Sequence, residues 1–271
     1  MEQRIERWQR PSQTKIVATV GPACNRPEDL LDLIRAGVDV FRINTAHGTR
    51  EEHDQRVREI RQVSRDAGVV VAILVDLAGP KIRLGELPDG ERRFISGEAV
   101  RFVRDSDGLD PSELTTTYQR LLEELEAGDR IVLADGMVTM NVERVDPEFA
   151  ECRIVQGGVV RSRQGVNLPG VKLSAPALSE RDRDTAIWAA QAGADFLGLS
   201  FVRRDDELRE LKALIAAQGA DTHVLAKIEK PEALENLDAI VQTADAVMVA
   251  RGDLGVEIDI ATVPVVQKRI I

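Results

Sequence analysis

Short apolar runs that end abruptly in charge, each followed by an amphipathic stretch, constrain this chain more than any other feature. Two are sharpest. Val224-Leu225-Ala226 leads into Lys227-Ile228-Glu229, and Val247-Met248-Val249-Ala250 leads into Arg251-Gly252-Asp253. Near-continuous apolar runs of this length suit parallel strands covered on both faces. A strand held only by packing has no use for a lysine and a carboxylate at its exit. A parallel barrel does, because its chemistry collects at the C-terminal ends of its strands. Two carboxylates at adjacent exits can hold a hard divalent cation through oxygen. A lysine beside them can stabilise a developing anion or move a proton.

The same rhythm runs along most of the chain. Strands are expected at 15–20, 38–43, 69–75, 196–201, 223–228 and 246–250. Between them, amphipathic stretches predict helices at 27–36 with Gly37 as a stop, and at 51–66 with Val57, Ile60 and Val63 on one face. Further helices are predicted at 179–191 with Ser179 as N-cap and Glu180 and Asp182 in the first turn, at 205–218, at 231–243, and from near Thr262. This alternation implies a parallel sheet with right-handed crossovers. Between about 86 and 168 the rhythm breaks into short alternating runs at 93–95, 99–103, 130–133, 137–145 and 152–156. Asp105-Ser106-Asp107-Gly108, Ala127-Gly128-Asp129, Asp135-Gly136 and Gly157-Gly158 separate them as turns. A small all-β module inserted after the third strand is predicted. The expected organisation is 1–85 as the first part of a barrel, 86–168 as the inserted domain and 169–271 as the second part. Six strands and an incomplete sixth helix fall short of a closed (β/α)8 barrel by two βα units, so the pattern is expected to be truncated at Ile271.

Composition narrows the function classes. With 43% of its 271 residues hydrophobic, the chain can bury a sizeable core. No run approaches the roughly 18 apolar residues of a membrane span, and residues 1–11 are polar, without a secretory apolar core. Cys24 and Cys152 lack metal-ligand spacing, so a reduced, cytoplasmic protein is expected. A net charge of -10 argues against a general nucleic-acid binder. Against that acidic body, Arg42, Lys81, Arg83, Lys227 and Arg251 at strand ends would form a local positive pocket for an anionic small molecule.

Each motif has a plain structural reading beside the functional one. In Arg42-Ile43-Asn44-Thr45-Ala46-His47-Gly48, Arg42 and Asn44 either face a phosphoryl group or belong to a surface loop with a salt-bridged arginine. Asp76 ends a strongly apolar run, where an unpaired carboxylate is costly, so Lys81 or Arg42 is its expected cation. Gly79-Pro80 is a turn into the β module. Gly165-Val166-Asn167-Leu168-Pro169-Gly170 reads as a linker or as part of a site, and Ser200 as a ligand contact or a satisfied strand end. His47, His53 and His223 lack metal-ligand spacing; His53 is placed on a solvated helix and His223 at the start of a strand. Trp8 and Trp188 are read as packing residues.

From about Thr14 to Ile271 the chain resembles pyruvate kinase. The stretches that carry the resemblance are Thr14-Lys15-Ile16 through Gly21-Pro22-Ala23, Arg42 to Gly48, Gly79 to Gly85, Gly165 to Gly170 and Pro176-Ala177-Leu178-Ser179-Glu180. Ser200-Phe201-Val202-Arg203, Lys227-Ile228-Glu229 and Met248 to Glu257 complete the set, in family order and spacing. The implied fold is α/β: a TIM-type (β/α)8 barrel, here incomplete with about six βα units, with a small mobile all-β lid domain inserted after strand 3. The implied reaction is phosphoryl transfer from phosphoenolpyruvate to ADP, giving pyruvate and ATP in glycolysis. By resemblance, Arg42 contacts the transferring phosphoryl group, and Lys227 stabilises the transfer state and the enolate oxygen. Glu229 and Asp253 bind Mg2+ or Mn2+, and Arg83 faces the nucleotide phosphates. Ser200 and the backbone around Gly252 and Asp253 serve the substrate. Asn44 and Asp76 belong to a monovalent-cation region.

The sequence departs from the family pattern in three places. Ala46 stands where a serine is usual and Asp76-Leu77-Ala78 replaces Asp-Thr-Lys, removing a hydroxyl ligand for potassium. Lys81 stands where potassium-dependent members carry glutamate, so a built-in ammonium is expected to replace K+, which is then not required. Gln164 replaces a basic residue, which weakens the expected grip on nucleotide. The family's later Ala-Thr-Gln-Met-Leu-Glu segment has no counterpart here, so turnover by these residues alone is expected to be low. Two other readings stay open. One is a metal-dependent pyruvate-enolate aldolase or lyase using Glu229 and Asp253 without nucleotide. The other is a non-catalytic truncated paralogue or regulatory binding protein. No nucleic-acid or membrane partner is expected; a homo-oligomer is compatible with the sequence.

Overall fold

A computed structural model describes residues 14–106 and 110–271. Trp8 and the Asp107-Gly108 half of one expected turn lie outside the described residues. The chain opens with β1 (Val17–Thr19), α1 (Pro27–Ala36), β2 (Val40–Asn44), α2 (Arg50–Asp66) and β3 (Ala72–Asp76). Then come β4 (Glu91–Phe94), β5 (Ala99–Val103), β6 (Glu113–Leu114), the single turn α3 (Leu121–Glu124), β7 (Arg130–Leu133), β8 (Val138–Val145), β9 (Phe149–Gln156), β10 (Gly158–Arg161) and β11 (Val166–Asn167). The α/β rhythm resumes with α4 (Glu180–Gln191), β12 (Phe196–Leu199), α5 (Asp205–Ala216) and β13 (His223–Ile228). It continues through α6 (Pro231–Glu235), α7 (Leu237–Thr243), β14 (Ala246–Val249), α8 (Arg251–Glu257) and α9 (Val263–Ile270).

Two compact units result. The first takes in residues 14–79, Ala177–Ile228 and Asn236–Met248; the second takes in Pro80–Pro176, Glu229–Glu235 and Val249–Ile271.

In the first unit the strands form a parallel sheet in the order β1-β2-β3-β12-β13-β14. β12 pairs directly with β3 although β4 to β11 separate them in sequence. An insertion after the third strand produces that adjacency. Local chemistry explains the helices around this sheet. Gly37 takes the left-handed conformation, φ 107°, and its N–H donates to Leu33 O and Ile34 O, closing α1. Thr49 caps α2 reciprocally with Glu52: Glu52 N donates to Thr49 Oγ1 at 3.3 Å and Thr49 N to Glu52 Oε2 at 2.8 Å. Ser179 caps α4, accepting from Asp182 N at 3.1 Å. Val57, Ile60, Leu208, Leu211 and Ile215 are buried on the helices, and Phe41, Ile73, Leu74 and Val75 on the strands.

In the second unit a largely antiparallel sheet runs β11-β7-β8-β9-β5-β6, and β10 pairs antiparallel with β4. Phe94, Phe102, Leu114, Ile131, Leu133, Val138 and Met140 lie in its core. The period-2 alternation of β8 and β9 places every second side chain there. The fold class is therefore the TIM-type (β/α)8 barrel, with about six βα units present and a small all-β domain inserted after the third strand. Among the described residues no helix is long and apolar enough to cross a membrane.

Several expectations are corrected. The helix expected over 231–243 is two, α6 and α7, broken at Asn236, whose side-chain N–H donates to Arg203 O at 3.1 Å. Arg251–Glu257 form a helix, although Gly252 and Gly255 are poor helix formers. Gly165 to Gly170 is more than a linker, since Val166 and Asn167 pair with Leu133 and Val132. His53 is buried, not solvated: its Nε2 lies 2.8 Å from His47 O and its ring 5.8 Å from that of Trp188. Trp188 is a packing residue as expected, with Nε1 donating to Asp54 Oδ1 at 2.7 Å.

Candidate functional site

Parallel pairing aligns the C-terminal ends of the first unit's strands. Thr19 lies in register with Arg42, and Asp76 lies between Asn44 on one side and Gly198 on the other. Arg42 reaches across the sheet to Asp76 Oδ2, with Nε at 2.8 Å and Nη2 at 2.5 Å, while Nη1 donates to Thr19 Oγ1 at 2.9 Å. From β13, Lys227 Nζ comes within 3.3 Å of Asp76 Oδ1 and donates to Ser200 Oγ at 2.6 Å. Ser200 Oγ in turn donates a hydrogen bond to Leu77 O at 2.8 Å. Asp76 is 1% exposed, Ser200 2% and Lys227 8%.

Burying charge this deeply carries a desolvation penalty that one ion pair seldom repays. Here one buried carboxylate is shared by two cations, Arg42 and Lys227, which concentrates positive charge at the strand ends. An anion is the natural complement. Asp76 therefore has the cationic partner expected of it. The partners are Arg42 and, unexpectedly, Lys227.

The backbone around this trio is specialised. A Cβ on Gly198 would stand 3.2 Å from Asp76 Oδ1. Phe201 adopts φ 58°, a left-handed conformation that bulky residues rarely tolerate. Gly79, at φ 68°, makes room for its ring, since a Cβ there would lie 2.5 Å from Phe201 Cδ2. Asn44 Oδ1 accepts from Ala46 N at 3.1 Å, and Thr45 Oγ1 donates to Asp76 O at 2.8 Å, fixing the turn after β2. Thr19, Gly198 and Phe201 were not singled out from the sequence. Thr19 and Gly198 become visible only once strand register is known.

The second unit holds the remaining candidates. Glu229 is 2% exposed at the exit of β13, and the next residue, Lys230, donates from Nζ to Glu257 Oε1 at 2.7 Å. Asp253 sits half-buried in the first turn of α8, beside the exposed Gly252. Carboxylates are hard oxygen donors, suited to Mg2+ or Mn2+, and Mg2+ usually takes one or two of them and completes its shell with water or substrate oxygens. Glu229 and Asp253 fit that donor chemistry. Among the described residues no group of three or more His, Cys, Asp or Glu converges to hold a metal. Lys81 is exposed, with its Cε 3.1 Å from where a Cβ on Gly165 would stand. Arg83 is half-buried; its Nη1 donates to Arg163 O at 3.1 Å and its backbone N to Thr117 Oγ1 at 3.0 Å. Gln164 accepts from Arg161 N at 2.7 Å, so its side chain closes a local turn.

A family model described as pyruvate kinase, barrel domain, matches residues 11–271. The pyruvate kinase of Mycobacterium intracellulare is 43% identical over 258 residues, which is 95% of this chain and 54% of that protein. That of Corynebacterium glutamicum is 42% identical over 259 residues, 96% of this chain and 54% of the relative. That of Geobacillus stearothermophilus is 38% identical over 262 residues, 96% and 45% respectively. The chain thus spans about half the length of the curated relatives it matches. Motif order, strand topology and these matches agree: the chain belongs to the pyruvate kinase barrel-domain family.

Proposed function

We propose that this chain carries the substrate-side machinery of a pyruvate kinase, a cytoplasmic glycolytic phosphotransferase that moves the phosphoryl group of phosphoenolpyruvate to ADP. The observation that carries this reading is the buried Asp76 held by both Arg42 and Lys227 at the strand ends. Phosphoryl transfer asks a protein mainly for positioning and charge compensation. Arg42 binds a phosphoryl oxygen, with Asp76 and Thr19 holding its guanidinium in place. Lys227, fixed by Ser200 and Asp76, compensates charge as the bond between phosphorus and the enol oxygen breaks and a bond to the terminal oxygen of ADP forms. The enolate then takes a proton at carbon, giving pyruvate.

Glu229 and Asp253 would hold Mg2+ or Mn2+, which when bound supplies charge neutralisation to the phosphoryl and enolate oxygens. Arg83 serves the nucleotide phosphates, and the backbone at Gly252 and Asp253 the substrate carboxylate. Asn44, Asp76 and Lys81 form the monovalent-cation region, where the Lys81 ammonium replaces K+. Residues 86–168 act as the lid domain, and a homo-oligomer is the proposed assembly. The test is a lactate dehydrogenase-coupled assay with phosphoenolpyruvate and Mg2+. Low pyruvate formation above the blank that requires ADP, and that Lys227→Met removes, is expected. Pyruvate released without ADP, or at an equal rate by Lys227→Met, would contradict the reading.

A further inference from the structure

The second unit contains a buried ion pair for which the proposed chemistry has no role. Lys230 Nζ donates to Glu257 Oε1 at 2.7 Å, with side-chain exposures of 9% and 2%. Glu257 Oε2 is also buried and accepts no hydrogen bond. An ion pair this deep is weak evidence for stability, because apolar residues of similar volume usually serve a core as well or better. Its position is what distinguishes it. Lys230 directly follows Glu229 at the exit of β13. Glu257 lies four residues after Asp253 on α8, so the two share one side of that helix. The pair is therefore a cross-link whose two ends sit beside the two carboxylates of the proposed metal site.

We propose that Lys230 and Glu257 are positioning residues that hold Glu229 and Asp253 in register for a divalent cation; this rests on the reading of those two carboxylates as its ligands. Outer partners of this kind typically change metal affinity 10–100-fold when removed.

The test is calorimetric titration of the full 271-residue chain with Mn2+, beside thermal melts without metal. Lys230→Met and Glu257→Gln are each expected to weaken Mn2+ binding by about 10–100-fold, and Lys230→Arg to restore most of it. Should the single variants fail to fold, Lys230→Met/Glu257→Leu removes both buried charges together and is expected to fold yet still bind Mn2+ weakly. Folded variants that bind Mn2+ as the unaltered chain does, with only the melting temperature changed, would overturn the proposal. Glu229→Gln separates the two claims. Lost binding in Glu229→Gln with normal binding in Lys230→Met overturns the positioning role alone. Unchanged binding in Glu229→Gln removes the metal site, and the positioning role with it.

Discussion

Asp76 is held from two sides, by Arg42 on the neighbouring strand β2 and by Lys227 on β13. Such a group is expensive to keep unless its charge is used. Lys81 poses a second residue-level question. If its ammonium stands in for a monovalent ion, activity is insensitive to K+, and Lys81→Glu lowers it; rates measured with and without K+ decide, and a strong K+ requirement in the unaltered chain would defeat this account. Cys152 offers an independent check on the β domain. Burial first, and the nearby Glu143 and Glu151 charges second, push its thiol up to about 12. The thiolate is the reactive form, so at pH 8 the folded chain should alkylate with iodoacetamide at half-buried Cys24 and not at Cys152, which reacts only after unfolding. Ready labelling of Cys152 in the folded chain would show that the core around β9 opens.

At the scale of elements, the exits of β3 and β12 interlock through Gly79 and Phe201. Gly79→Ala would add a Cβ at 2.5 Å from the Phe201 ring at a residue whose φ of 68° already disfavours a side chain. A loss of more than about 1 kcal/mol is expected, read as a lower melting temperature; an unchanged melt would mean that Phe201 swings aside freely. Much of this level was legible in the sequence. Arg42, Asp76 and Lys227 stood out because charge at the end of an apolar run has few uses. The caps at Ser179 and Gly37 are local chemistry, readable from neighbouring residues. What stayed hidden depended on distant parts of the chain. The choice of Arg42 and Lys227 as cations for Asp76, the service of Thr19 to Arg42 and the close approach of Gly198 to Asp76 all follow from strand register. The burial of His53 follows from Trp188, far away in sequence. Nothing in the sequence around Phe201 signals its left-handed backbone.

For the whole molecule, the acidic balance of -10 makes the gathering of two cations, Arg42 and Lys227, on one buried carboxylate the more telling. An acidic body disfavours anions in general, so an anion that binds must do so through specific contacts. The proposed substrate brings both a phosphate and a carboxylate, and the proposed ligands Glu229 and Asp253 would link it to a divalent cation. The most direct measurement is therefore calorimetric titration of phosphoenolpyruvate into the chain with Mn2+ present, repeated with Lys227→Met. The account predicts binding that depends on Mn2+ and is lost in the variant while its fold is retained. Phosphoenolpyruvate binding of equal strength in both proteins, or indifferent to Mn2+, would contradict it.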